Sequence, residues 1–153
     1  MSEVNPDVQV VALHQRVQEF SDLVKDIDVV LDCSDNFVTR HALNRACVRH
    51  RKPLVSGAAI RFDAQLMVFD LRSKTSPCYA CLFPEDAQVE EVQCSTMGVF
   101  APLTGVIGAM QAMEALKLVA GVGASQNLQI VDAKSAEWRS VRVKKDPACA
   151  ACA

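Results

Sequence analysis

The apolar positions of this chain fall into short unbroken runs and longer stretches of helical period. Residues 8–13 (VQVVAL) form a strand candidate, and residues 27–32 (IDVVLD) a second one, of the fully apolar kind expected inside a parallel sheet. Residues 16–25, between them, read as a modest helix. Ser34, Asp35 and Asn36 offer N-cap chemistry, and a helix is expected from there to about His50, with Phe37, Leu43, Ala46 and Cys47 on one face. After Pro53, residues 54–60 (LVSGAAI) resemble a buried strand. Residues 61–71 alternate Phe62, Ala64, Leu66 and Val68 against Asp63, Gln65 and Asp70, which predicts a half-exposed strand and a change from parallel units to a hairpin. Residues 72–98 contain Pro77 and Pro84 and keep no period, so they read as a long loop, and loops of that length are usually functional. Pro102 opens a strong helix through Ile107, Met110, Met113, Leu116 and Leu118, apolar nearly all round in its first half and therefore expected to be buried, with Gly121, Val122 and Gly123 ending it. Strands at residues 128–132 and 138–143 complete a single α/β domain with a mixed sheet.

The chain has 153 residues, 50% of them hydrophobic, which is ample for one core. The formal net charge is -2, and lysine and arginine are scattered, so no nucleic-acid partner is expected. Residues 1–6 lack the basic flank and apolar stretch of a secretion signal, and no apolar run approaches the roughly 20 residues needed to span a bilayer. The expectation is a cytoplasmic protein with no membrane partner. Seven cysteines in that setting read as ligands, nucleophiles or buried thiols rather than disulfide partners.

Cys78 and Cys81, and Cys149 and Cys152, are two CxxC pairs in separate segments read as non-helical, each preceded by a nearby proline. Two such pairs supply the four thiolates of a tetrahedral structural zinc site, closed to catalysis, that would pin the carboxyl-terminal tail to the long loop. A thioredoxin-like redox pair is the competing reading, but neither pair opens a helix after a strand. Unligated thiols are the third, and spacing alone does not place both pairs on one metal. Asp32, Cys33, Ser34, Asp35 and Asn36 lie where a strand meets a helix, the edge at which open α/β sheets bind ligands. A carboxylate there can hold magnesium on a nucleotide phosphate, and it can equally cap the helix. Cys33 and Cys47 read as packing residues.

The stretch DVVLDCSDNFVTRHALNRACVRHRKPLVSGAAIRFDAQLMVFD, then PCYACLF, CSTMGVFAPLTGVIGAMQAMEALKLVAG and a terminal CxxC, resembles in that order the second half of the ThiF/MoeB/HesA family, bacterial relatives of ubiquitin-activating enzymes. The resemblance runs from about Asp28 to Cys152. It implies the carboxyl-terminal part of a Rossmann-like domain and an enzyme that uses MgATP to adenylate the terminal glycine of a ubiquitin-like sulfur-carrier protein, in thiamin or molybdopterin biosynthesis. On matching positions it implies Asp35 at the magnesium–triphosphate site and Cys78, Cys81, Cys149 and Cys152 as zinc ligands. Cys94 matches a family cysteine that in some members takes part in covalent sulfur or acyl transfer and in others is dispensable. None of His14, His41 and His50 is near Cys94 in sequence to activate it. Gly57, Ala58 and Ala59 suit the close approach of a threaded Gly-Gly tail or tight sheet packing. Arg40, Asn44 and Gln111 also match family positions, with no role legible beyond helix surface or capping. A homodimer is the family default.

The family pattern departs at its glycine-rich G-x-G-x-x-G turn. The only G-x-G here, Gly121 to Gly123, follows a helix and reads as a cap. Residues 1–153 are therefore expected to form one truncated activating-enzyme domain with little independent ATP chemistry, completed by a complementing nucleotide-binding half. The alternative is a non-enzymatic carrier-binding or dimerisation module.

Overall fold

The computed structural model describes residues 3–16, 22–86 and 97–153. Its frame is one five-stranded sheet whose spatial order follows the chain: β1 (Val30–Asp32), β2 (Leu54–Ile60), β3 (Asp63–Phe69), β4 (Asn127–Asp132) and β5 (Glu137–Arg142). Among the described residues the helices are α1 (Phe37–His50), α2 (Tyr79–Leu82) and α3 (Ala101–Val119). β1 and β2 are parallel, and α1 is the crossover that parallel neighbours require. Every later neighbour is antiparallel, so the sheet is mixed, as expected.

Local chemistry sets the ends of these elements. Asn36 Oδ1 accepts the Thr39 N–H at 2.8 Å and so caps α1. At the other end Arg51 takes a left-handed φ of 52°, and its N–H reaches the Cys47 and Val48 carbonyls just before Pro53. Ile60 pairs with Asp63, which leaves Arg61 and Phe62 as the β2–β3 turn. The Arg61 N–H donates to Gly98 O at 2.9 Å and the Phe100 N–H to Arg61 O at 2.7 Å, which fastens the start of α3 to that turn. Gly121 and Gly123, both at positive φ, end α3.

Several expectations are corrected. Residues 8–13 form no strand: Val8, Val10, Val11 and Leu13 are exposed, and no strand of the described sheet lies beside them to complete a ladder. Of the expected helix at residues 16–25, residues 17–21 lie outside the described residues, and Leu23–Asp26 is a 3-10 turn. β3 is buried on both faces from Leu66 to Phe69, because Met67 and Phe69 pack on the α1 side while Val68 meets Leu118 of α3. α1 buries a polar face, Arg40, His41 and Asn44, beside Ala46 and Cys47, and Phe37 and Leu43 are only partly covered. Among the described residues α3 is covered on one side alone. Leu103, Ile107, Gln111, Ala115 and Leu118 face the sheet, and Val106, Met113, Leu116 and Val119 remain exposed, since no other described element packs on that face. The loop at residues 72–98 contains α2, and its residues 87–96, Cys94 among them, lie outside the described residues. No helix among the described residues is long and apolar enough to cross a membrane.

Candidate functional site

β1 and β2 run side by side, so their carboxyl ends finish together, and a buried polar network locks them there. Asp32, 1% exposed, accepts on Oδ1 from the Ser34 N–H at 3.0 Å and the Ser34 hydroxyl at 2.6 Å, and on Oδ2 from the Ser56 hydroxyl at 3.2 Å. Arg40 reaches the same carboxylate from α1 at 3.3 Å, donates to Ser56 Oγ and Gly57 O at 3.0 Å each, and also donates to Ser34 O. The charge of Arg40 is therefore spent on the strand ends. From the α3 side, Gln111 Nε2 donates to Asp32 O at 2.9 Å and to Val55 O at 3.2 Å, bridging the two strands. A Cβ at Gly57 would lie 2.5 Å from the Gln111 amide, so this close approach explains the glycine.

Above the locked strand ends opens a cavity of about 650 Å³, lined among others by Asp35, Asn36, Gly57, Ala58, Ala59 and Tyr79. Asp35 is exposed on its wall, and its carboxylate accepts from Asn36 Nδ2 at 3.4 Å. Asn36, not Asp35, is the residue that caps α1. Of the two aspartates in the motif, Asp32 is committed to internal bonds and Asp35 is presented to the cavity. Cys33 is exposed on the same wall with its thiol 3.5 Å from Gln111 Oε1, which corrects its reading as a packing residue. Cys47 does pack: it is fully buried, and burial together with the nearby Asp32 charge pushes its thiol up to about 12, leaving it inert.

The two CxxC pairs meet on the α1 side of the sheet. Cys78 Sγ lies 3.7 Å from Cys149 Sγ, Cys81 Sγ lies 3.5 Å from Cys152 Sγ, and Cys78 and Cys81 are 3.9 Å apart. All four sulfurs fall within 4.8 Å of one another. A tetrahedral site with metal–sulfur bonds of about 2.3 Å separates its sulfurs by roughly 3.8 Å, so the donor set fits one four-thiolate metal ion. The closest contacts join one pair to the other, which disfavours two independent redox pairs. Cys78 is the N-cap of α2 and Cys81 lies inside it, a correction to the non-helical reading of that segment. Asn44, fully buried on α1, accepts the Tyr79 N–H at 2.9 Å and donates toward Cys78 Sγ at 3.6 Å.

Arg40, Asn44 and Gln111 are thus the functional residues that sequence reasoning left without a role. Arg40 and Asn44 stand four apart on one helical face, and that spacing of two polar residues among apolar neighbours was the available signal. Cys94 lies outside the described residues.

The ThiF family model matches residues 1–151. The sulfur carrier protein ThiS adenylyltransferase of Escherichia coli K12 is 42% identical over 99% of this chain and 61% of its own length. The molybdopterin-synthase adenylyltransferase of the same organism is 39% identical over 99% of this chain and 62% of its own. The chain therefore spans about three fifths of these relatives. The crystal structure of E. coli MccB with ATP superposes with a TM-score of 0.75 at 18% identity, covering 99% of this chain and 48% of that one, a likeness of fold.

Proposed function

The chain belongs to the ThiF family, and from that premise we propose that it builds the carboxyl-terminal part of an ATP-dependent activating site. The reaction joins AMP to the terminal glycine carboxylate of a ubiquitin-like sulfur carrier: a carboxylate oxygen bonds to the α-phosphorus and pyrophosphate departs. The observation that carries this reading is the cavity at the β1 and β2 ends, where Asp35 is exposed above a rigid floor.

In this reading Asp35 offers oxygens to the magnesium of MgATP, as a hard cation prefers. The small wall of Gly57, Ala58 and Ala59 admits a diglycine tail, and Asp32, Arg40, Ser56 and Gln111 hold the strand ends still beneath it. Arg40, the one cationic side chain among the described residues that line the cavity, is already engaged by Asp32, and catalysis of this kind depends on preorganised cationic donors. The glycine-rich cradle that supplies them is a separate unit from the elements described, whether on the same or another polypeptide. β1 is the sheet edge it would meet. Cys78, Cys81, Cys149 and Cys152, whose sulfurs are close enough to share one ion, would hold structural zinc. Cys94 is the nucleophile in a later step, its sulfur bonding to the activated carbonyl carbon as AMP leaves. The protein acts in the cytoplasm as a homodimer.

The test is carrier-dependent ATP–pyrophosphate exchange with the glycine-rich unit present. Asp35→Ala is expected to lower the exchange rate by about a hundredfold or more, the scale of losing one aimed electrostatic contact. Exchange within a few-fold of wild type would remove Asp35 from the site. The exposed apolar face of α3, Val106, Met113, Leu116 and Val119, favours a second reading as a carrier-binding or dimerisation module. That reading predicts carrier binding without ATP and indifferent to Asp35→Ala.

A further inference from the structure

We propose that Asn44 is a positioning residue through which the four-cysteine cluster sets the geometry of the cavity. The inference rests on the cluster holding zinc. Its basis is that metal site and cavity share two structural parts. One is α2: Tyr79, the residue between Cys78 and the rest of the knuckle, is itself part of the cavity wall. The other is α1, which Asn44 joins to the cluster and Arg40 joins to the strand ends one turn earlier. Asn36, the N-cap next to Asp35, lies about two turns before Asn44, about 12 Å along the helix.

Asn44 is the piece that makes these parts move as one. Its side chain is fully buried and spends both ends of its amide on the knuckle, Oδ1 on the Tyr79 N–H and Nδ2 on Cys78 Sγ. A thiolate at Cys78 strengthens the second bond, because the acceptor then carries charge. Outer-shell partners of metal ligands fix ligand orientation, and their loss typically weakens metal binding about 10- to 100-fold. Here the same amide also fixes the backbone of a cavity-lining residue. A shift of Cys78 is therefore passed to Tyr79 directly and to Arg40, Ser34 and Asp35 along α1.

The experiment compares amide and Arg40 Nε–H resonances in the zinc-loaded wild-type chain, the wild-type chain loaded instead with cadmium, whose bonds to sulfur are longer, and the zinc-loaded Asn44→Ala and Asn44→Asp variants. Zinc transfer to a chromogenic chelator is followed on the same samples. Cadmium is expected to shift Asn44 Nδ2, Arg40 Nε and the amides of residues 33–36 as well as those of the two knuckles. Both variants are expected to lose zinc at least about tenfold more readily and to move the same cavity resonances. Zinc bound as tightly as in wild type, or cadmium shifts confined to the two knuckles, would overturn the inference. The cadmium comparison needs no substitution and decides the matter if the variants fail to fold. A chain that takes up neither metal would overturn the zinc reading beneath it, a result distinguishable from metal bound without coupling.

Discussion

Stripping the metal from the four-cysteine cluster is expected to abolish or sharply lower the cooperative melting of this chain. The residues after β5 join no strand or helix, and they are anchored by Cys149 and Cys152 against Cys78 and Cys81, by Val143 and Ala151 on the apolar cluster, and by one exposed hydrogen bond from Lys145 to Lys74 O. Cys78 and Cys149 are also members of the largest apolar cluster, with Cys47, Met67, Phe69 and Tyr79. Structural zinc in small domains contributes about 10–16 kcal/mol in apparent binding energy at neutral pH. The whole stability of a domain is about 5–15 kcal/mol. Losing even a third of the metal's contribution should lower Tm by about 10 °C or more in a chain of this size. Circular dichroism melts with and without a strong chelator, and of Cys149→Ser, read this out. An unchanged transition would mean that the thiols pack without a metal. Burial pushes the Cys78 thiol up to about 11 in the absence of a cation, so it keeps its proton at neutral pH until a metal displaces it. Metal uptake should therefore release protons and weaken as pH falls.

Arg40→Ala is expected to be the most damaging single substitution outside the cluster. It strips a buried carboxylate, Asp32, of its only cationic partner within 4 Å among the described residues, and leaves the Ser34 and Gly57 carbonyls short of a donor. Breaking a buried pair by removing one member costs about 3–5 kcal/mol, because the survivor's charge stays buried. Urea denaturation should show that loss, and replacing Asp32 as well, as Asp32→Asn with Arg40→Met, should recover part of it. A loss below about 1 kcal/mol, the net worth of an ordinary hydrogen bond, would mean that water reaches Asp32.

The sequence made the sheet and the cysteine chemistry legible because both rest on local signals. The run of residues 54–60 coincides with β2, Asn36 caps α1 in the way its place before a helix implies, and two matching CxxC pairs converge. What it hid depends on distant neighbours. Residues 8–13 have a strand's composition but no ladder beside them. α3 carries an apolar first half yet meets one layer only, so Val106 and Met113 stay exposed. β3 alternates like a half-exposed strand, and the alternation merely divides its side chains between two covered faces. The roles of Arg40, Asn44 and Gln111 were invisible because their partners lie on other elements, 6 to 79 positions away, and a buried arginine on a helix reads as surface until its carboxylate is located.

The most direct test of the account is calorimetric titration of the metal-loaded chain with MgATP, alone and with a glycine-rich unit supplied separately, for wild type and Asp35→Ala. Micromolar binding only in the combined sample, lost in Asp35→Ala, is the expected result. Micromolar binding that ignores Asp35, or none in the combined sample, would contradict the assignment of the β1–β2 cavity as the activating site.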